Sequence, residues 1–146
     1  MTEEQEKAVV LHHRGANCAQ SVLLVFCEKY GLDSESGMRV AGGLGGGLRC
    51  GEVCGAVSGG AIVVGLKHAA TKPENLDQKK FCGEKTEQFV EAFRQVYGKG
   101  KIRCRDLLEE KGHDICDELI AGSVALLCER DASPTDNIQK KENKSI

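Results

Sequence analysis

Apolar and polar positions along the chain recur at the three-to-four-residue spacing of helices, and the punctuation between them is mostly glycine. Residues 2–13 predict a first helix, with Glu3, Glu4 and Glu6 in the opening turns and Ala8, Val9, Val10 and Leu11 behind them. Gly15 stops it. Asn17 is a good N-cap for a second helix over 18 to about 30, with Val22, Val25 and Phe26 in one stripe, Leu23, Cys27 and Tyr30 widening it, and Gly31 as its C-cap. A shorter piece over 34 to about 44 would face Met38, Val40 and Ala41 inward. A fourth helix is expected from near Cys54 to about Ala70, although Gly55, Ser58, Gly59 and Gly65 are poor helix formers. Small residues there imply that another backbone, or a cofactor, packs very close. Pro73 opens the next turn. Residues 74–97 read as one long helix, or two with a break near Gly83, because Phe89, Phe93, Val96 and Tyr97 share a face. A brief helix over 104–110 stops at Gly112. Asp114 then caps a last helix over 115 to about 130, carrying Leu119, Ile120, Leu126 and Leu127.

No stretch alternates with period two for long enough to predict a sheet. The expected fold is therefore all-α: a compact bundle of about five to seven helices, forming a single domain over 1–130 with a polar tail over 131–146. Composition agrees, since 40% hydrophobic and 29% charged residues describe a globular chain. A net charge of −2 gives no electrostatic footprint for nucleic acid or an anionic membrane, and aromatics at 4% give no base-stacking surface. The apolar run at 61–66 is far short of the roughly 20 residues that span a bilayer. The opening MTEEQEK has no basic or apolar export signal, so a cytoplasmic location is expected.

The chemistry concentrates at 42–60, GGLGGGLRCGEVCGAVSGG, where nine glycines surround Arg49, Cys50 and Cys54. Glycine is used where backbone takes positive φ or where something must approach it closely. Gly46, Gly47, Gly51 and Gly55 are the positions expected to bring backbone against a cofactor. The run lacks a phosphate-binding G-x-x-x-x-G-K-[ST] and follows no strand.

Eight cysteines are the informative count, because without an export signal they point to metal binding or thiol redox chemistry rather than to a disulfide scaffold. Cys18, Cys54, Cys104 and Cys116 each fall in the first turn of a different predicted helix. Unpaired N–H groups and the positive end of the dipole stabilise a thiolate there. If the four starts meet, they form either a reactive cluster or a four-thiolate pocket for an iron–sulfur cluster or zinc. Cys50 is a reserve ligand or a resolving thiol. Cys27 and Cys128 lie on apolar stripes and read as buried structural cysteines, as does Cys82. The histidines read as structural: His12, His13 and His68 at helix ends and His113 before a cap, with His12 or His13 near enough in sequence to Cys18 to assist a thiol.

GANCAQSVL at 15–23, the glycine run at 42–60, Cys104 with Leu107, and Cys116 together resemble the C_GCAxxG_C_C family of redox-active proteins, named for its cysteine signature. The resemblance covers about 8–128. It maps the signature cysteines to Cys18, Cys54, Cys104 and Cys116; where the signature has Ala just after its cysteine, this chain has Gly55 and then Ala56. A similar domain in split-Soret cytochromes c accompanies an iron–sulfur centre, which favours a cluster; no haem motif is present here.

Three expectations follow. The first is an electron-transfer protein with an iron–sulfur cluster on Cys18, Cys54, Cys104 and Cys116, Cys50 in reserve, working with a redox partner protein. The second is a thiol oxidoreductase with Cys54 as nucleophile, Cys50 or Cys18 resolving it and Arg49 supporting the thiolate. The third is a structural zinc module.

Overall fold

The computed structural model describes residues 1–131, so most of the polar tail expected over 131–146 lies outside the described residues. Seven α-helices appear among them: α1 Glu3–His13, α2 Cys18–Phe26, α3 Ser34–Val40, α4 Gly55–His68, α5 Leu76–Val96, α6 Cys104–Leu107 and α7 Cys116–Asp131. The fold is all-α, as the periodicity predicts.

Local chemistry explains most boundaries. Thr2 caps α1 and Asn17 caps α2, each in a reciprocal capping box with the glutamine three residues on, Gln5 and Gln20. Asp33 caps α3 through the Ser36 N–H. The second helix ends earlier than expected: after Phe26 the chain tightens into a 3-10 turn, Glu28–Tyr30, and Gly31 closes it at φ 88°. The last turn of the sequence pattern also splits. Asp114 sits inside a 3-10 turn, Gly112–Ile115, instead of capping α7, which begins one residue after that turn. Gly83 causes no break in α5.

α4 lies at the centre, packed on α2, α5 and α7, while α1 closes the far side against α2 and α7. Val22, Leu23 and Phe26 of α2, Val63 and Val64 of α4, Phe89 and Phe93 of α5 and Leu119, Ile120, Val124 and Leu127 of α7 make one core. The buried Ser123 hydroxyl donates to the Ala56 carbonyl at 2.8 Å and ties α7 to α4. The small residues of α4 answer the question their composition raised. A Cβ on Gly59 would stand 2.6 Å from the Ala19 carbonyl oxygen, one on Gly55 would stand 2.8 Å from Cys18 Cβ, and one on Gly60 would overlap the Phe89 ring. What packs close is therefore the backbone of α2 and a ring of α5.

Four expected core positions are not core. Met38 and Val40 are exposed because α3 buries Gly37 against Leu24 and Cys27 on its opposite face. Val96 is exposed at the end of α5, and Cys82 is half-exposed on the same helix, outside the packed cluster. Cys27 is fully buried and Cys128 packs against the core. No described helix is long and apolar enough to cross a membrane.

Candidate functional site

Four separate devices bring four helix starts to one end of the bundle. Asn17 holds the start of α2: its Oδ1 accepts the Gln20 N–H at 2.8 Å, and its Nδ2 donates to the carbonyls of Ala41 (3.1 Å) and Gly42 (3.3 Å). Gly55 and Gly59 let α4 lie directly on α2, so Cys54, the N-cap of α4, comes up to Cys18, the first residue of α2. An isolated antiparallel bridge between Val53 and Arg103 then sets Cys104 beside Cys54, with the Cys104 N–H donating to the Glu52 carbonyl at 2.6 Å and the Cys54 N–H to the Ile102 carbonyl at 2.8 Å. The fourth device joins α1 to α7: His12 Nδ1 and His13 Nε2 meet the two carboxylate oxygens of Asp117 at 2.9 and 2.6 Å, one residue past Cys116.

Glu52 and Arg105 brace the bridge. Arg105 donates to the Cys50 and Gly51 carbonyls (3.0 and 3.3 Å) and to the Glu52 carboxylate (3.0 Å), which also takes Arg103 at 3.3 Å.

The loop between Gly42 and Cys54 has a conformation the sequence pattern did not show. Gly46, Gly47, Leu48 and Arg49 are all left-handed, with φ of 63°, 61°, 60° and 60°, so the chain makes one left-handed turn. For Leu48 and Arg49 this conformation costs about 1–2 kcal/mol each, and strain of that kind is held at functional sites by the surrounding structure. Glycine is required at Gly47, where a Cβ would overlap the Glu52 backbone.

Cys18, Cys54, Cys104 and Cys116 line one small pocket with Gly46, Gly55, Leu107, Leu108 and Leu119. Its roughly 10 Å³ is the space of no more than a single water. Above it opens a cleft of about 440 Å³ lined by Cys18, Cys104 and Cys116 together with His12, Asn17, Arg49 and His113. The geometry thus places the four predicted cysteines together. Cys50 is elsewhere: it is exposed, its thiol donates to the Gly47 carbonyl at 3.5 Å, and it lines neither space. Of the glycines expected at the site, Gly46 and Gly55 line it, whereas Gly47 and Gly51 serve the loop, the latter against Arg105.

The thiols are not equivalent. Cys18 and Cys116 line both spaces, where one thiol can donate a hydrogen bond to the thiolate of the other. That bond is the largest cause bringing Cys116 down to about 6; burial opposes it, and the His113 ring, with Nδ1 3.7 Å from the sulfur, and then the charge of His12 add to it. The same bond holds the Cys18 thiol far above its ordinary value, followed by burial and the neighbouring thiolates. Cys54 is pushed up to about 11 by burial, which the Ala56 and Val57 N–H groups only partly offset. Burial also raises Cys104, with Cys116 adding to it. The low-pKa thiol expected at Cys54 is therefore corrected to Cys116: a helix N-terminus alone does not outweigh burial, whereas a thiol donor and two imidazoles do. His113, read from sequence as structural, lines the cleft beside Cys116, and nothing in the local pattern distinguishes it except its place three residues before that cysteine.

Asp117 responds to two opposed causes. Burial pushes its carboxyl up, and the hydrogen bonds and charges of His12 and His13 bring it below the usual carboxylate value on balance.

Among the described residues, no group of three or more His, Cys, Asp or Glu side chains is arranged to hold a metal ion. The family model described as "Putative redox-active protein (C_GCAxxG_C_C)" matches residues 16–130, and the chain belongs to that family. No curated protein and no solved structure matches it.

Proposed function

From that membership, we propose that the four-cysteine pocket is the redox centre and that its working couple is the dithiol and disulfide forms of Cys18 and Cys116. One observation carries the reading: two thiols from different helix starts line the same small pocket and the open cleft above it, with His113 beside one of them. Cys116 is the nucleophile, because a thiolate attacks and a thiol does not. Cys18 donates to that thiolate in the reduced state and closes the disulfide in the oxidised one. Cys54 and Cys104 stand within the same pocket as a second pair, and a redox partner protein is the source or sink of electrons. The test is mild oxidation of the reduced chain followed by peptide mapping. A Cys18–Cys116 disulfide that forms first and reverses with a dithiol is expected; oxidation confined to Cys50 or Cys82 would overturn the reading.

A second reading is favoured by the donor set. Four cysteines at four helix starts are the ligands an iron–sulfur cluster uses, and at Cys54 the Ala56 and Val57 N–H groups turn toward the sulfur. Cys18, Cys54, Cys104 and Cys116 would hold it, and the group would supply one-electron transfer. A structural zinc ion would draw on the same thiols. Iron, zinc and acid-labile sulfide analysis of protein prepared without oxygen separates the three: metal-free, colourless protein leaves the dithiol couple, and iron with sulfide in near-equal amounts replaces it with a cluster.

A further inference from the structure

The dithiol reading leaves the cleft above the cysteine pair without a role. Its walls are chemically one-sided: Arg49, His12, His113 and Asn17 face it, and no Asp or Glu lines it among the described residues. Two carboxylates beside site residues are already engaged, Asp117 by His12 and His13 and Glu52 by Arg103 and Arg105. Arg49 makes no ion pair or hydrogen bond among the described residues. It is placed at the cleft by the left-handed turn, a conformation that neither Leu48 nor Arg49 adopts at no cost. The volume of about 440 Å³ falls in the range of sites for small molecules and is too small for a folded partner to enter.

We propose that this cleft binds a small disulfide carrying a carboxylate or similar anionic group, with Arg49 holding the anion while the disulfide bond lies over Cys116 and Cys18. The inference rests on the dithiol reading and names its substrate class. The chemistry balances. The Cys116 thiolate attacks one sulfur of the bound disulfide, a mixed disulfide forms, and the first small thiolate leaves. That thiolate takes the proton of Cys18. The Cys18 sulfur then attacks Cys116 Sγ, the protein disulfide forms, and the second small thiolate leaves. The protein loses two electrons and the substrate gains them.

Three disulfides of similar size test it on the full, reduced chain: 3,3′-dithiodipropionate with two carboxylates, bis(2-hydroxyethyl) disulfide with no charge, and cystamine with two ammonium groups. Formation of the Cys18–Cys116 disulfide is followed by acid quenching and mass spectrometry, each rate being divided by that of a neutral free thiol with the same reagent. The dianion should be favoured over cystamine by about ten-fold or more at low salt, the lower end of what a charged cleft supplies. In Arg49→Gln that ratio should fall close to one. Equal normalised rates for the three reagents, or a ratio unchanged in Arg49→Gln, would overturn the proposal and leave the dithiol couple standing. Failure of all three to form the Cys18–Cys116 bond would remove the couple itself, and the proposal with it.

Discussion

His12 presents Nδ1 to Asp117 at 2.9 Å, and the same ring lines the cleft in which Cys116, the neighbour of Asp117, is found. One carboxylate therefore fixes an imidazole of α1 over the thiol that begins α7. Removing the charge in Asp117→Asn should loosen both the α1–α7 join and the ring. Because the carboxylate is partly exposed, the expected loss is modest, about 1 kcal/mol, seen as a fall in Tm of about 2–4 °C for a chain of this size. The linkage has a definite sign. The folded carboxyl lies below its ordinary value, so its contribution is present above the usual carboxylate range and disappears as pH falls through the folded value. Thermal melts from neutral pH into acid should show the two proteins converging; a constant gap would count against the carboxylate as the cause.

Alkylation should single out one thiol. With Cys116 near 6 and Cys54 near 11, iodoacetamide labelling of reduced protein at neutral pH should modify Cys116 well ahead of the other three pocket cysteines, with half of its plateau rate at about pH 6. Below that value the thiol is protonated and the rate falls with pH. Cys18→Ala removes the largest cause of the depression and should move the midpoint upward by about a unit or more, while His113→Ala should move it upward by less. Peptide mapping against pH reads both. A midpoint unmoved by Cys18→Ala would show that the shared hydrogen bond is not what holds the thiolate.

The fold and the four cysteines were legible for a common reason. Capping residues, glycine stops and three-to-four-residue stripes are local signals, and a cysteine at a helix start is located by the same signals: Asn17 marks Cys18, and the end of the glycine run marks Cys54. What the sequence could not show is set by contacts across the chain. That Cys116 and not Cys54 is the acidic thiol depends on Cys18 and His113 reaching it, and neither meeting is written in spacing. That Cys50 lines neither the pocket nor the cleft goes with the left-handed turn, where its thiol points back at Gly47. Cys82 falls outside the packed cluster although α4 reaches α5 beside it, through the His68 ring on Phe81 and the His68 carbonyl on Gln78, so its position along the stripe did not decide its burial.

The glycines of α4 provide a separable test of how the cysteines are brought together. Gly59 faces Ala19 with 2.6 Å between the carbonyl oxygen and an added Cβ, and that oxygen is backbone, which cannot swing aside. Gly59→Ala must therefore push α4 from α2, at a cost of about 1–3 kcal/mol, or a fall in Tm of roughly 2–12 °C. Because Cys54 and Cys18 ride on those two helices, the same change should alter the yield of disulfides between pocket cysteines under mild oxidation. Gly65, on the same helix, meets nothing within 4 Å. Gly65→Ala should instead stabilise the protein by about 0.5–1 kcal/mol through helix propensity, with the disulfide pattern unchanged. Differential scanning calorimetry with peptide mapping distinguishes the pair. Equal destabilisation by both substitutions would mean that α4 tolerates no side chain anywhere along its length, and that close packing on α2 is not the particular reason for glycine at the cysteine end.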